Sequence, residues 1–380
     1  MYKFFLFFLF VSFTRLGLAQ EDTTCVSLLF FGDVMGHSPQ INAAYVDSTK
    51  SYDYDSSFHY IKPLLSEADI SIGNLEVTLG ITPYDGYPRF SSPAALAVAL
   101  QKAGVDILAT SNNHSNDRGK KGVENTIKIL DTLGTVHTGT FKDSYSRDYT
   151  YPLIINKKGI RIALLNYTYG TNGLPTRAPN IVNLIDTTQI YYDLVKAKAH
   201  SPDKIIVFYH WGLEYQSLPS KDQKTVAQFA FKNGADYVIG AHPHVIQPFE
   251  RTTDSLGKEN LLVYSLGNFI SNQRKLKTDG GAMVKFEICK CEEESWLGEA
   301  GYFLTWVYRP RENGKSQYYL MPVSQYEHKA DFFKQGQSSA FKTYAEQSRK
   351  LLNKHNISMP EYVFDTTTVS WKLQPEVKTE

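Results

Sequence analysis

The feature that most constrains the fold is a rhythm of short apolar runs. They lie at residues 26–31, 70–73, 105–110, 161–167, 205–209, 237–240 and 261–265, and are rich in residues that favour strands. Between them come stretches of helical period at 58–66, 93–103, 121–133, 187–199 and 222–233, at lengths that suit crossovers. Strands alternating with helices predict an α/β layer fold. After residue 279 the pattern changes to alternating segments at 282–289, 302–308 and 317–322, followed by a polar helix at 339–354, which reads as a C-terminal antiparallel and helical extension. No repeat or low-complexity tract interrupts the chain, and no linker forces a split. The expected organisation is one domain over 26–325 with a helical tail over 326–380.

The first residues have another character. Lys3 precedes an apolar run at 4–13, and Gly17-Leu18-Ala19 supplies the small residues that a signal peptidase needs. A signal peptide over 1–19, cleaved near Ala19, is therefore expected, and with it export to the periplasmic or extracellular face of the envelope. The run is too short to span a bilayer comfortably, although an uncleaved anchor is the alternative. Thr23 and Thr24 before Cys25 do not make a lipoprotein box. The three cysteines, Cys25, Cys289 and Cys291, are an odd number, so disulfides are not expected to be the framework. Cys289 and Cys291 share one face of a strand and read as unpaired strand residues rather than metal ligands. With 40 basic against 39 acidic residues there is no global excess to hold a nucleic acid, and any polyanion binding must be local.

The chemistry gathers where strands end. Gly32-Asp33 follows the first run, Asn74-Leu75-Glu76 the second, and Asn112-Asn113-His114-Ser115-Asn116-Asp117 the third. His210-Trp211-Gly212-Leu213-Glu214 and His242-Pro243-His244 follow two later ones. The carboxyl ends of strands are where α/β sheets place ligands. Pro243 is expected to hold His242 extended, so that period-two geometry turns both imidazoles toward one ion. Imidazoles with carboxylate and amide oxygens fit a hydrolytic centre holding one or two Mn, Fe or Zn ions.

Taken in order, these motifs, with Gly240-Ala241 before His242 and Tyr264-Ser265-Leu266-Gly267-Asn268-Phe269 after it, resemble the CapA family of capsule or poly-γ-glutamate biosynthesis proteins. That family is related in fold to calcineurin-like metallophosphoesterases. The resemblance implies a four-layer α-β-β-α sandwich. It further implies Asp33, Asn113, His210, His242 and His244 as metal ligands, with Glu76 or Asn74 at the bridging position. His114 is implied at the leaving group, Asp117 and Glu214 as its catalytic partners or substrate contacts, and Asn268 as a substrate contact. Arg89, Arg118, Lys120 and Lys121 are candidate contacts for an anionic polymer.

The sequence also departs from the phosphoesterase pattern. Met35 stands where that pattern has a histidine, and His37 is the nearest substitute. Two functions compete on these grounds. One is a metal-dependent hydrolase or transferase acting on poly-γ-glutamate or capsular polysaccharide. The other is an accessory that binds the polymer, or a membrane complex that makes it, without turnover.

Overall fold

The computed structural model describes residues 23–374 apart from 256, 313 and 335, so the expected signal peptide lies outside the described residues. Two sheets carry the fold. In the first the strand order is Tyr319–Pro322, Glu294–Tyr308, Gly280–Cys291, Thr24–Val34, Ile70–Leu75, Ile107–Ala109 and Val136–Thr138, with Asn268–Ile270 also paired to Thr24–Val34. Thr24–Val34 runs parallel to Ile70–Leu75 and antiparallel to Gly280–Cys291. The second sheet has the order Phe249–Thr253, Glu259–Val263, Tyr237–Ala241, Lys204–His210, Ile160–Thr168 and Leu153–Lys157, parallel at its centre and antiparallel at both edges.

Strand alternation sorts the core. Along Thr24–Val34, Val26, Leu28 and Phe30 join Ile206, Phe208 and Ile239 of the other sheet in one apolar cluster. Leu29 and Phe31, one position on, point the other way and pack with Leu64, Leu96, Leu100 and Leu130 from the helices. On the far side Leu165, Val207 and Val238 meet Ile190, Leu194, Ala227 and Ala230. Helices thus cover the outer face of each sheet, and the sheets face each other, as period-two side-chain geometry requires. The three apolar clusters between layers are the dominant stabilising feature.

The expected elements reappear with shifted ends. The helix read at 58–66 begins only at Lys62, after a tight turn at Asp55–Phe58, because Pro63 occupies its first turn. The alternating C-terminal segments are antiparallel, as expected, and join the first sheet. They are the hairpin Gly280–Cys291 and Glu294–Tyr308, which extends the first sheet beyond its parallel half. Beyond 326 come the helix Gln337–His355 and a hairpin of Tyr362–Asp365 with Ser370–Leu373, and Phe341, Tyr344 and Leu352 belong to the central core.

The cysteine expectation is corrected. Cys25 and Cys289 lie directly opposite each other on antiparallel strands and form a disulfide, their Cα atoms 4.0 Å apart. Sequence spacing could not reveal it, since 264 residues separate the partners and only the sheet register brings them together.

Candidate metal centre

The parallel strands of both sheets end at one place. Asp33 sits near the end of Thr24–Val34, Asn74 near the end of Ile70–Leu75, and Glu76 one residue beyond it. The segment 111–117 follows Ile107–Ala109, His210 closes Lys204–His210, and the turn carrying His242 and His244 follows Tyr237–Ala241. Gly32 makes the first of these ends feasible, because a Cβ there would lie 1.9 Å from the Gly267 carbonyl oxygen. That close approach allows the Asp33 backbone N–H to donate to Gly267 at 3.0 Å.

The side chains form a buried polar ring. The Asn74 amide donates to Asp33 Oδ1 at 2.8 Å and lies 3.1 Å from His210 Nδ1. Asn113 Oδ1 is 2.8 Å from His210 Nε2, and His242 Nδ1 is 3.1 Å from the same nitrogen. His244 Nδ1 lies 3.1 Å from both Asp33 Oδ2 and Asn268 Oδ1. Glu76 is in the middle, 3.5 Å from His210 Nε2, 3.8 Å from His244 Nε2 and 3.9 Å from His114 Nε2. The Glu76 side chain is wholly buried, yet neither carboxylate oxygen has a hydrogen-bond partner among the described residues. Desolvating a carboxylate without donors is costly, so these oxygens call for a cation.

Charge follows the same geometry. Burial, then the neighbouring Asp33, pushes the Glu76 carboxyl well above the ordinary range. For Asp33 burial pushes upward too, but the hydrogen bond and charge of His244 outweigh it and hold the group below its usual value. Burial lowers His210 to about 3 and sends His242 well down, so both imidazoles are neutral, the form that binds metals. Burial also opposes charge on His244, but Glu76 and Asp33 prevail and lift it to about 9. Two overlapping sets could hold an ion: Asp33, Glu76 and His210, and Glu76, His242 and His244, with donor atoms within 4.8 Å of one another in each. The orphaned oxygens and neutral imidazoles fit a divalent cation.

One expectation about this turn is overturned. His242 is not extended: its φ is 102°, and His244 has φ 58°. Pro243 restricts its predecessor, but the surroundings override the preference. The His242 backbone N–H reaches toward Asp33 Oδ2 at 3.3 Å while its ring packs on His210 at 4.7 Å between centroids. Two non-glycine residues at positive φ store roughly 1–3 kcal/mol each, which surrounding structure must offset. Both imidazoles still bring a donor atom within 4.8 Å of Glu76, by a strained turn rather than by strand alternation.

The other expected residues take distinct places. His114 joins the ring, and Asp117 stands behind it, its Oδ2 2.7 Å from His114 Nδ1 while also accepting the Phe90 N–H at 2.6 Å. Asn268 is fully buried, donating to Gln273 and to the Thr278 carbonyl, so it acts on the site by positioning His244. Arg89 donates from Nε to the Asp117 carbonyl at 2.9 Å. Glu214 is exposed at the rim beside Tyr215. Met35 is buried in the apolar cluster outside the first sheet. His37 lies 3.2 Å from Gln40 Oε1 and accepts from the Asn272 N–H, so it does not replace the missing histidine in the ring.

Two residues take roles that the sequence did not assign: Tyr169, which belongs to none of the quoted motifs, and Asn112, which stands in the third motif without a role of its own. Tyr169, just past the end of Ile160–Thr168, places its ring 4.6 Å from that of His242. Its position at a strand's carboxyl end was the available signal. Asn112 donates to Asn74 Oδ1 at 3.2 Å and to the Leu75 carbonyl at 2.7 Å, linking two strand ends.

Comparison with known proteins gives this geometry a family. The chain is 29% identical over 251 residues to the capsule biosynthesis protein CapA of Bacillus anthracis, covering 62% of this chain and 59% of that one. It is 27% identical over 276 residues to the PGA biosynthesis protein CapA of Bacillus subtilis, covering 70% of this chain and 68% of that one. The chain thus spans less than two thirds of the first relative's length. Among solved structures it is similar to the calcineurin-like phosphoesterase YfkN of Bacillus subtilis, with TM-score 0.44 and 13% identity over 87% of this chain and 98% of that one. The family of bacterial capsule synthesis proteins PGA_cap matches residues 27–273, which hold every candidate ligand, and the chain belongs to that family.

Proposed function

We propose that the chain is an exported metal-dependent hydrolase or transferase acting on an anionic cell-envelope polymer, with poly-γ-glutamate the first candidate and capsular polysaccharide the second. The observation that carries this reading is Glu76: a fully buried carboxylate without a hydrogen bond among the described residues, encircled by imidazoles. Asp33, Glu76, Asn113, His210, His242 and His244 would hold the ion, with Asn74 and Asn268 orienting Asp33 and His244. When bound, a divalent ion polarises a phosphoryl or amide oxygen and brings the pKa of a water toward neutrality. With its Nδ1–H donated to Asp117, His114 keeps Nε2 turned to the ring, where, as the imidazolium, it would deliver the Nε2 proton to the leaving group and become neutral. Tyr169 lies over the imidazoles and would flank the substrate.

The Cys25–Cys289 disulfide supports export, because such bonds persist in oxidising compartments. The relatives' names, which speak of capsule and PGA biosynthesis, support work beside a membrane complex that makes the polymer. A second reading, a polymer-binding accessory without turnover, is favoured by one observation: Met35 and His37 leave the ring one imidazole short of the phosphoesterase pattern.

The test starts from residues 20–380, with bound transition metals quantified in the wild type and in a folded His242→Ala, His244→Ala double variant. Near-stoichiometric metal that is lost in the variant, with turnover of a phosphoester or γ-glutamyl polymer, is the expected result. A wild type that takes up no metal under repletion refutes the hydrolase.

A further inference from the structure

Beside the His114–Asp117 pair a cavity of about 710 Å³ opens to solvent, lined by Arg89, Arg118, Lys120, Lys121 and Arg177. The acidic side chains on its wall are engaged, except that Asp117 Oδ1 is buried without a hydrogen-bond partner among the described residues. Asp117 accepts from Phe90 and faces His114, and Glu124 pairs with Lys120 at 3.7 Å. Arg89, Arg118, Lys121 and Arg177 have no ion-pair partner among the described residues. The Arg118 Nε and Nη2 atoms are buried without any hydrogen-bond partner there. In a chain of net charge +1 this is a local concentration of unanswered positive charge.

We infer that this cavity is a subsite that binds a run of carboxylates on the polymer and so seats the scissile bond at the ring. The inference rests on the polymer-acting reading above and assigns it a place. Size argues for several linked units, because cavities of a few hundred Å³ and more take ligands much larger than an inorganic anion. The rest of the wall argues for carboxylates on methylene stems rather than for polyphosphate: Ile81, Leu174 and Pro175 offer apolar surface that a chain of phosphates cannot use. Arg89 joins the two places, since its Nε holds the backbone carbonyl of Asp117, whose side chain meets His114.

The experiment measures fluorescence anisotropy of a labelled γ-linked glutamate decamer on the mature chain supplied with Mn²⁺ or Zn²⁺, at low salt, where surface electrostatics is least screened. Lys121 and Arg177 are exposed, so the Lys121→Glu, Arg177→Glu variant should fold and keep its metal content and melting temperature. It is expected to bind the decamer at least tenfold more weakly. A control, Lys342→Glu with Lys350→Glu on the C-terminal helix, should bind like the wild type. Equal binding by the wild type and the cavity variant overturns the subsite while leaving the polymer reading in place. A wild type that binds metal but no decamer overturns both. Displacement of the decamer by tripolyphosphate at lower concentrations than by unlabelled oligoglutamate overturns the assignment to carboxylates.

Discussion

Replacing Glu76 by Gln should change stability in opposite directions with and without metal. The substitution keeps volume and shape and removes the capacity for negative charge at the centre of the ring. Without metal, the wild-type carboxyl is wholly buried, lacks a hydrogen bond at either oxygen among the described residues and faces Asp33, which raises its pKa further. A buried carboxyl whose folded pKa lies above its unfolded value destabilises the fold at neutral pH, a cost the neutral amide does not carry, so Glu76→Gln should stabilise the chelator-treated protein by on the order of 1 kcal/mol or more. With metal the order reverses. A ligand present at a hundred times its Kd stabilises by about 2.7 kcal/mol, and the variant, lacking the shared carboxylate of both candidate ligand sets, forgoes most of this. For a domain of this size the change is on the order of 2 °C in Tm per kcal/mol. Thermal melts in EDTA and in Mn²⁺ or Zn²⁺, with metal content measured on the same samples, read both arms. A variant that melts below the wild type in EDTA, or that gains as much from metal as the wild type does, refutes the reasoning.

Burial pushes His37 down to about 4, and because its folded pKa lies below the unfolded value of 6.5, its contribution is present above pH 6.5 and lost as pH falls toward 4. Denaturant melts of the metal-free protein should show a decline over that window to which His210 and His242 also contribute, and His37→Gln should reduce it by up to about 3 kcal/mol. Arg349 forms bonds with Glu327 and with the buried Glu361, so Arg349→Ala should cost about 3 kcal/mol, while Arg349→Met with Glu361→Leu should recover part of it in a double-mutant cycle. Reduction of Cys25–Cys289, or Cys25→Ser, should lower stability by about 2–5 kcal/mol, read as a shift in the denaturant midpoint between oxidised and reduced samples.

The sequence by itself determined the alternation of strands and helices and most of the residues that meet at the centre. Both are local signals. An apolar run with a polar residue at its carboxyl end marks a strand and its ligand position without reference to any other segment, which is why Asp33, Asn74, Glu76, Asn113, His114, His210, His242 and His244 could be named one strand at a time. Even Tyr169 stood at such an end.

Whatever depends on two distant segments meeting was decided by the tertiary structure alone. The C-terminal segments read as an antiparallel part, but that their hairpin pairs with the first strand is fixed only by the sheet register. The same register pairs Cys25 with Cys289, a contact for which spacing holds no signal. Local preference was also overruled at His242, where Pro243 favours an extended backbone but hydrogen bonding to Asp33 and packing on His210 hold a positive φ. Asn268, implied as a substrate contact, is buried beside His244, where it donates to Gln273 and the Thr278 carbonyl, a placement its motif does not reveal. Glu76 shows the division most clearly. Its type and position are written in the chain, but its lack of any donor arises only when two sheets close around it and exclude water, and that isolation is what asks for a metal ion.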